Sequence, residues 1–418
     1  MKILVAHNVY QHPGGEDAAR DAEIRLLREA GHHVVEYVRR NDEIRNYSFF
    51  DKANLAWRAS WSSQSHRELR VILARESPDA AHFHNTFPLI SPSAYYACRE
   101  AGVAIVQTLH NFRLLCPGGN LFQDGHVCEE CISHSLLRSI AHGCYHESRG
   151  ETAAVAAMLA VHRQMRTWAD QVDLFLVCTE FARGKFLEAG FRADQVRVKP
   201  NFIASDPGVR LGQGVTALFM GRLSPEKGPQ LLPRAWSKLA LEIPLQIVGD
   251  GPLRSSLEAD CTRLGLQNIH FSGWLGAPSA LGHLRAAKFL IIPSICYENF
   301  PLVLAEAYAC GIPVIAAGHG GLADLLHDGV EGLQFAPGDE NDLAAKIAWA
   351  WSHPEEMQAM GRAARAEFES KYTAGPALAH LESAYEFALR RSRISARAPK
   401  SLVRNDPSTL AARREETD

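Results

Sequence analysis

The sequence predicts an α/β protein with two parallel-sheet domains in series. Three observations carry that expectation. The chain has 418 residues, more than one ordinary core accommodates. Short apolar, β-rich runs alternate with helical patterns, as in βαβ units. The alternation stops between residues 201 and 214, where Pro207, Gly208, Gly212 and Gly214 gather, and then starts again.

The first strand series is expected at residues 2–6, 33–38, 80–84, 104–109 and 174–177. The helical stretch 16–30 is closed by Gly31, an expected stop. The second series is expected at 215–220, 245–248, 269–271, 289–292 and 314–316. After Gly338 the pattern is helical to about Arg391, and Gly375-Pro376 marks the start of a separate last helix. From Ser392 the chain is Arg-, Ser- and Pro-rich without periodicity, which predicts disorder. The expected units are therefore 1–203, 214–374, a helix over 375–391 and a tail over 392–418.

Composition excludes several classes. Apolar residues make up 46% and charged residues 22%, the balance of a globular protein. A formal net charge of −3 gives no reason to expect nucleic acid as a partner. No apolar run approaches the roughly 20 residues of a membrane span. The stretch from Met1 to His7 turns polar too soon for a signal peptide and reads as a first buried strand. A cytoplasmic location is expected, with the nine cysteines as thiols or ligands.

The chemistry-bearing motifs sit where strands end. Gly221-Arg222-Leu223-Ser224-Pro225-Glu226-Lys227-Gly228 follows a strand and offers two cations at a spacing that suits a diphosphate. Two cations there would offset charge on a departing nucleoside diphosphate; a solvated turn is the plainer reading. Gly249-Asp250-Gly251-Pro252 pairs small residues, which allow close backbone approach to a ligand, with a Pro suited to a first helical turn. Gly273 precedes Trp274 at the end of the next strand, where backbone and ring could bracket a nucleobase. In Glu298-Asn299-Phe300-Pro301, a helix is expected to begin at Pro301 and stop before Gly311. Its free N–H groups near Asn299 and Phe300 form an anion site flanked by Glu298 and Glu306.

In order and spacing these motifs resemble the family of retaining glycosyltransferases with two facing Rossmann-like domains, the group 1 or family 4 type of the GT-B fold. The resemblance covers nearly the whole chain to about Arg391. It implies that Arg222 and Lys227 hold the donor diphosphate, that Glu298 contacts the sugar and that Glu306 contacts the ribose. It implies a nucleoside-diphosphate sugar donor, no metal requirement in catalysis, and a glycan or lipid-linked acceptor. It also implies that the last helix crosses back to the first domain. Gly14-Gly15, opening the first helix, look like the family's glycine pair near the transferred sugar. His110, at a strand end, is implied to contact the donor sugar, while Asn111 stands where many relatives have Asp. His82 and His84 read better as satisfied strand-end side chains than as cleft residues.

Cys116, Cys128, Cys131 and Cys144 follow the spacing C-x11-C-x2-C-x12-C. The inner C-x2-C is a zinc-binding spacing, and four thiolates would close a structural zinc site. Reduced cysteines in an acceptor-binding loop are the alternative. Residues 46–61 carry Tyr47, Phe49, Phe50, Trp57 and Trp61, which fit local packing, an acceptor-groove cap or peripheral contact with the inner membrane face. Two rival functions remain. A retaining glycoside hydrolase would use Glu298 and Glu306 as its carboxyl pair but has no use for Arg222 and Lys227. A non-catalytic nucleotide-sugar-binding subunit would keep the fold without turnover.

Overall fold

A computed structural model of the chain describes residues 1–11, 14–48 and 54–397, with side chains to residue 394. The first sheet contains β1 (Lys2–Val9), β2 (His33–Arg40), β3 (Ala80–Phe83) and β4 (Ala104–Leu109). After a two-residue hairpin, β5 (Phe122–Gln123) and β6 (His126–Val127), the sheet is completed by β7 (Leu174–Val177) and β8 (Val196–Val198). Its order is β2-β1-β3-β4-β7-β8, parallel throughout. The second sheet contains β9 (Thr216–Met220), β10 (Leu245–Val248), β11 (Ile269–Gly273), β12 (Ala287–Ile292), β13 (Val314–Ala317) and β14 (Gly332–Phe335). Its order is β11-β10-β9-β12-β13-β14, the doubly wound 3-2-1-4-5-6 arrangement. Two edge strands escape the sequence pattern: β8, only three residues long, and β14, in which Gly332 and Gln334 leave two apolar side chains.

Each sheet is buried on both faces, as parallel sheets require. Alternation puts Leu4, Ala6, Ile105 and Phe175 in one core and Ile3, Val5, Val106 and Leu174 in another. In the second sheet Phe219, Ile247 and Ile291 face one way, and Leu218, Leu290 and Ala316 the other. The helix Ala374–Arg397 lays Ala377, Leu381, Ala384, Tyr385 and Ala388 against the first sheet. It runs six residues past Arg391, so the stretch 392–397, expected to be aperiodic tail, is helical; its buried face ends at Ser392, and Ile394 is exposed. Residues 398–418, like Phe49 and Phe50, lie outside the described residues.

The segment 201–214 lacks regular structure but is tied down rather than loose. Buried Arg210 donates through its backbone to the Cys310 carbonyl and through its guanidinium to the Ala287 and Lys288 carbonyls. Asp206 pairs with Arg365 at 2.6 Å. Among the described residues no helix is long and apolar enough to cross a membrane.

Candidate functional site

The carboxyl edges of the two sheets face one cleft of about 1890 Å³, lined from both halves of the chain. In each sheet it opens where the strand order reverses, between β1 and β3 and between β9 and β12, the position at which open α/β sheets bind ligands.

The loops after β9 and β10 are locked together by their glycines. Leu223 N donates to the Asp250 carbonyl at 3.0 Å, and Leu253 N donates to the Leu223 carbonyl at 2.9 Å. A Cβ on Gly249, whose φ is +141°, would lie 1.8 Å from the Gly221 carbonyl oxygen. One on Gly228, at φ +69°, would lie 1.9 Å from that of Pro293. The absence of a side chain at Gly249 is therefore required by the neighbouring loop as well, apart from any ligand at the cleft that Gly249 lines. Gly273 accepts from Gly249 N at 2.8 Å and supports this loop without lining the cleft. Arg222, Gly249, Asp250, Gly251 and Pro252 line the cleft, as does Trp274, which is 77% exposed.

Lys227 and Glu298 are an ion pair, with Nζ at 2.7 and 2.9 Å from the two carboxylate oxygens. Ser294 Oγ adds a hydrogen bond to Oε1 at 2.6 Å. Burial pushes the Glu298 carboxyl up, but the Lys227 charge and these hydrogen bonds outweigh it and hold it below 4.5. The loop is braced from behind: His319 Nε2 meets the Ser294 carbonyl at 2.9 Å, and Gly321 N donates to the Glu298 carbonyl at 3.1 Å. The helix Leu302–Ala309 then starts with Pro301 as its cap, so Asn299, Phe300 and Pro301 present its N-terminus to the cleft. Asn299 Oδ1 has no hydrogen-bond partner. Glu306 lies within the helix and outside the cleft lining; burial raises its pKa.

From the other half, Gly14 caps the helix Gly15–Glu29, and its N–H donates to Asp17 Oδ2 at 2.9 Å. A Cβ on Gly15 would lie 3.5 Å from the Leu302 side chain, so two helix N-termini meet across the cleft. His110 lines the cleft and bonds His84 Nδ1 through its Nε2 at 2.9 Å. His82 is satisfied by Tyr385 Oη and Thr108 Oγ1, both at 2.8 Å.

Sequence reasoning missed Glu16. It lines the cleft, accepts from Tyr10 Oη at 3.1 Å and from Asn111 Nδ2 at 3.4 Å, and is raised by burial to about 7. The carboxyl that Asn111 lacks is thus present beside it. Arg113 was also missed; it lies over the Phe87 and Tyr145 rings at 5.0 and 4.9 Å. Position after a glycine pair was the only available signal for Glu16, and nothing local marked Arg113.

The four cysteines of the loop are free thiols. Cys116 bonds Cys131, which lowers Cys116 to about 6 and raises Cys131. Burial, with the neighbouring Cys116 and Cys128, raises Cys144 to about 11. Zinc–sulfur bonds of about 2.3 Å would bring all four sulfurs within about 4 Å of one another. Among the described residues no three of them converge within 4.8 Å. The donor chemistry suits zinc, but this arrangement is not a ligating set. In the aromatic segment, Trp61 packs on Tyr96 at 5.2 Å, whereas Trp57 is 75% exposed beside cleft residues Leu55 and Ala56.

Residues 209–367 match the family described as glycosyl transferases group 1, and residues 22–206 match glycosyltransferase family 4. A D-rhamnosyltransferase, WbpZ of Pseudomonas aeruginosa, is 31% identical over 38% of this chain and 41% of its own length. The chain therefore spans well under two thirds of that relative. A 2-deoxystreptamine glucosyltransferase of Streptomyces kanamyceticus is 29% identical over 68% of this chain and 72% of its own. The solved structure of Anabaena HepE in complex with UDP superposes with a TM-score of 0.64 at 20% identity, covering 92% of this chain and 99% of that one.

Proposed function

From the premise that this chain belongs to the group 1 glycosyl transferases with a GT-B fold, we propose that it moves a hexosyl group from a nucleoside-diphosphate sugar to an acceptor hydroxyl, with retention of anomeric configuration. The observation that carries this reading is the cationic, helix-capped wall of the cleft. Arg222, Lys227 and the N-terminus of Leu302–Ala309 converge there on a space large enough for a nucleotide sugar.

In this reading Arg222 forks onto the diphosphate, and Lys227, already held by Glu298, adds a point charge that stabilises the leaving group. Glu298 and His110 position the sugar, and Gly14 and Gly15 lie against it. The loop from Gly249 to Pro252 holds the nucleoside, with Gly273 behind it, whereas the ribose contact expected of Glu306 has no support from its place outside the lining. No residue stands out in the sequence as a nucleophile, and in this reading transfer proceeds on one face, the leaving phosphate taking the acceptor proton as its bond to the sugar breaks. No metal is needed, since Arg222 and Lys227 supply the cationic charge. With Glu298 tied to Lys227 and Glu306 outside the lining, these two are not a converging carboxyl pair for a glycosidase. The acceptor is a glycan or lipid-linked hydroxyl, entering past Phe87, Tyr145 and exposed Trp57, and the protein works in the cytoplasm at the inner membrane face.

The test is a thermal-shift screen of UDP-, GDP- and ADP-sugars on wild type, Glu298→Ala and Arg222→Ala. A donor at 100 times its Kd should add about 2.7 kcal/mol to wild type alone. Absence of any shift removes the transferase reading and favours a non-transferring role. The anomeric configuration of the first product, read by NMR, decides retention.

A further inference from the structure

Behind His110 lies a buried polar cluster that the proposed chemistry does not use. Lys199, Glu23, His82 and His84 are all at most 3% exposed. The Lys199 ammonium is paired with Glu23 Oε1. Placing a full ion pair beneath a sheet edge costs desolvation that apolar residues would avoid, so its location directly behind a cleft histidine calls for a reason.

Glu23, His82 and His84 converge closely enough to suggest a metal set. Two facts oppose that use. Both His82 nitrogens are already hydrogen-bonded, and the Lys199 ammonium occupies the cation's place beside Glu23.

A different role follows from the unpaired atoms. Glu23 Oε2 and His84 Nε2 are both buried without a hydrogen-bond partner, and they lie 3.6 Å apart. The opposite nitrogen of His84, Nδ1, is 2.9 Å from His110 Nε2, with the two rings nearly parallel at 15°. Burial drives His84 and His110 well below 6.5, so both are neutral and each carries one ring proton. A bare Nε2 on His84 would set its lone pair against the Glu23 carboxylate, whereas an N–H there is attracted to it. His84 Nδ1 must then accept, so His110 Nε2 carries the proton.

We infer that Glu23 and His84 are positioning residues that fix the His110 tautomer, leaving His110 Nδ1 as a hydrogen-bond acceptor for a hydroxyl of the bound sugar. The described residues offer that Nδ1 no partner of their own, and His110 lines the cleft. The site would therefore select a sugar whose facing substituent is a hydroxyl donor, and would disfavour the deoxy or fluoro analogue. This inference rests on the transferase reading for its substrate but not for its tautomer.

The test begins with ¹⁵N-histidine NMR on the full chain, the His110 signals being those lost in His110→Asn. His110 is expected to show a protonated Nε2 and an unprotonated Nδ1; the reverse pattern overturns the inference whether or not any sugar is transferred. His84→Leu should abolish the fixed tautomer and lower donor turnover roughly 10- to 100-fold. His84→Asn, whose amide oxygen can replace Nδ1 as acceptor, should restore most of it. Equal losses in both variants, with wild-type tautomer signals kept in folded His84→Leu, would also overturn it. A confirmed tautomer in a protein that turns over no nucleotide sugar would sink the transferase reading alone.

Discussion

Replacing Lys227 with Met keeps the aliphatic stem and removes the charge that faces Glu298. Two charge-assisted contacts, at 2.7 and 2.9 Å, are lost, and Glu298, with a side chain 9% exposed, keeps only Ser294. Breaking a fully buried pair costs about 3–5 kcal/mol, but the Lys227 side chain is 34% exposed and partly screened. A loss of about 1–2 kcal/mol is therefore expected, or roughly 2–8 °C in melting temperature for a unit of this size. The sign of the pH dependence follows from Glu298, which is held below its unfolded value of 4.5. Its pairing contributes stability above 4.5 that disappears as pH falls through the lower folded value. The difference between wild type and Lys227→Met should accordingly be full at pH 7 and shrink in acid. The assay is denaturant unfolding of wild type, Lys227→Met, Glu298→Gln and the double variant, each at pH 7 and in acid. A coupling of about 1–2 kcal/mol at pH 7 is expected. A coupling indistinguishable from zero, or one unchanged in acid, would refute the claim that the pair is preformed in the empty cleft.

Three further outcomes are expected. Gly249→Ala should destabilise by about 3 kcal/mol or more and disturb donor binding, because its Cβ meets the Gly221 carbonyl at 1.8 Å. Gly282→Ala, in open space on the helix Ala277–Ala286, should be neutral or stabilise by up to about 1 kcal/mol, as urea melts would show. Glu16 is raised from 4.5 to about 7, so between those values the folded state binds its proton and the unfolded state does not. Wild type should lose stability as pH rises across that window, and thermal melts of Glu16→Gln should lack that component.

Much of the architecture is legible along the chain because a parallel sheet buried on both faces leaves apolar runs, each ended by turn or polar residues, with a helical pattern before the next. The donor-side loops were legible for the same reason: a strand end, a small residue and a cation lie within a few positions of one another. Edge strand β8, three residues long, carries too little pattern to be read, and in β14 Gly332 and Gln334 leave only two apolar side chains. The helical reach of residues 392–397 was masked by an Arg- and Ser-rich composition resembling a tail.

What the sequence determined by itself is therefore the set of loops that reach the cleft and the residue types they bring. Which side chains face each other was decided only by the tertiary structure. Lys227 and Glu298 are 71 residues apart, and Glu23 and Lys199 are 176 apart. Asn111 and Glu16 are separated by 95. Local periodicity reports which face of a strand or helix is buried, within a turn or two. It holds no information on which distant partner a charge will meet, because that is set by the packing of whole sheets and by the cost of leaving a buried charge alone.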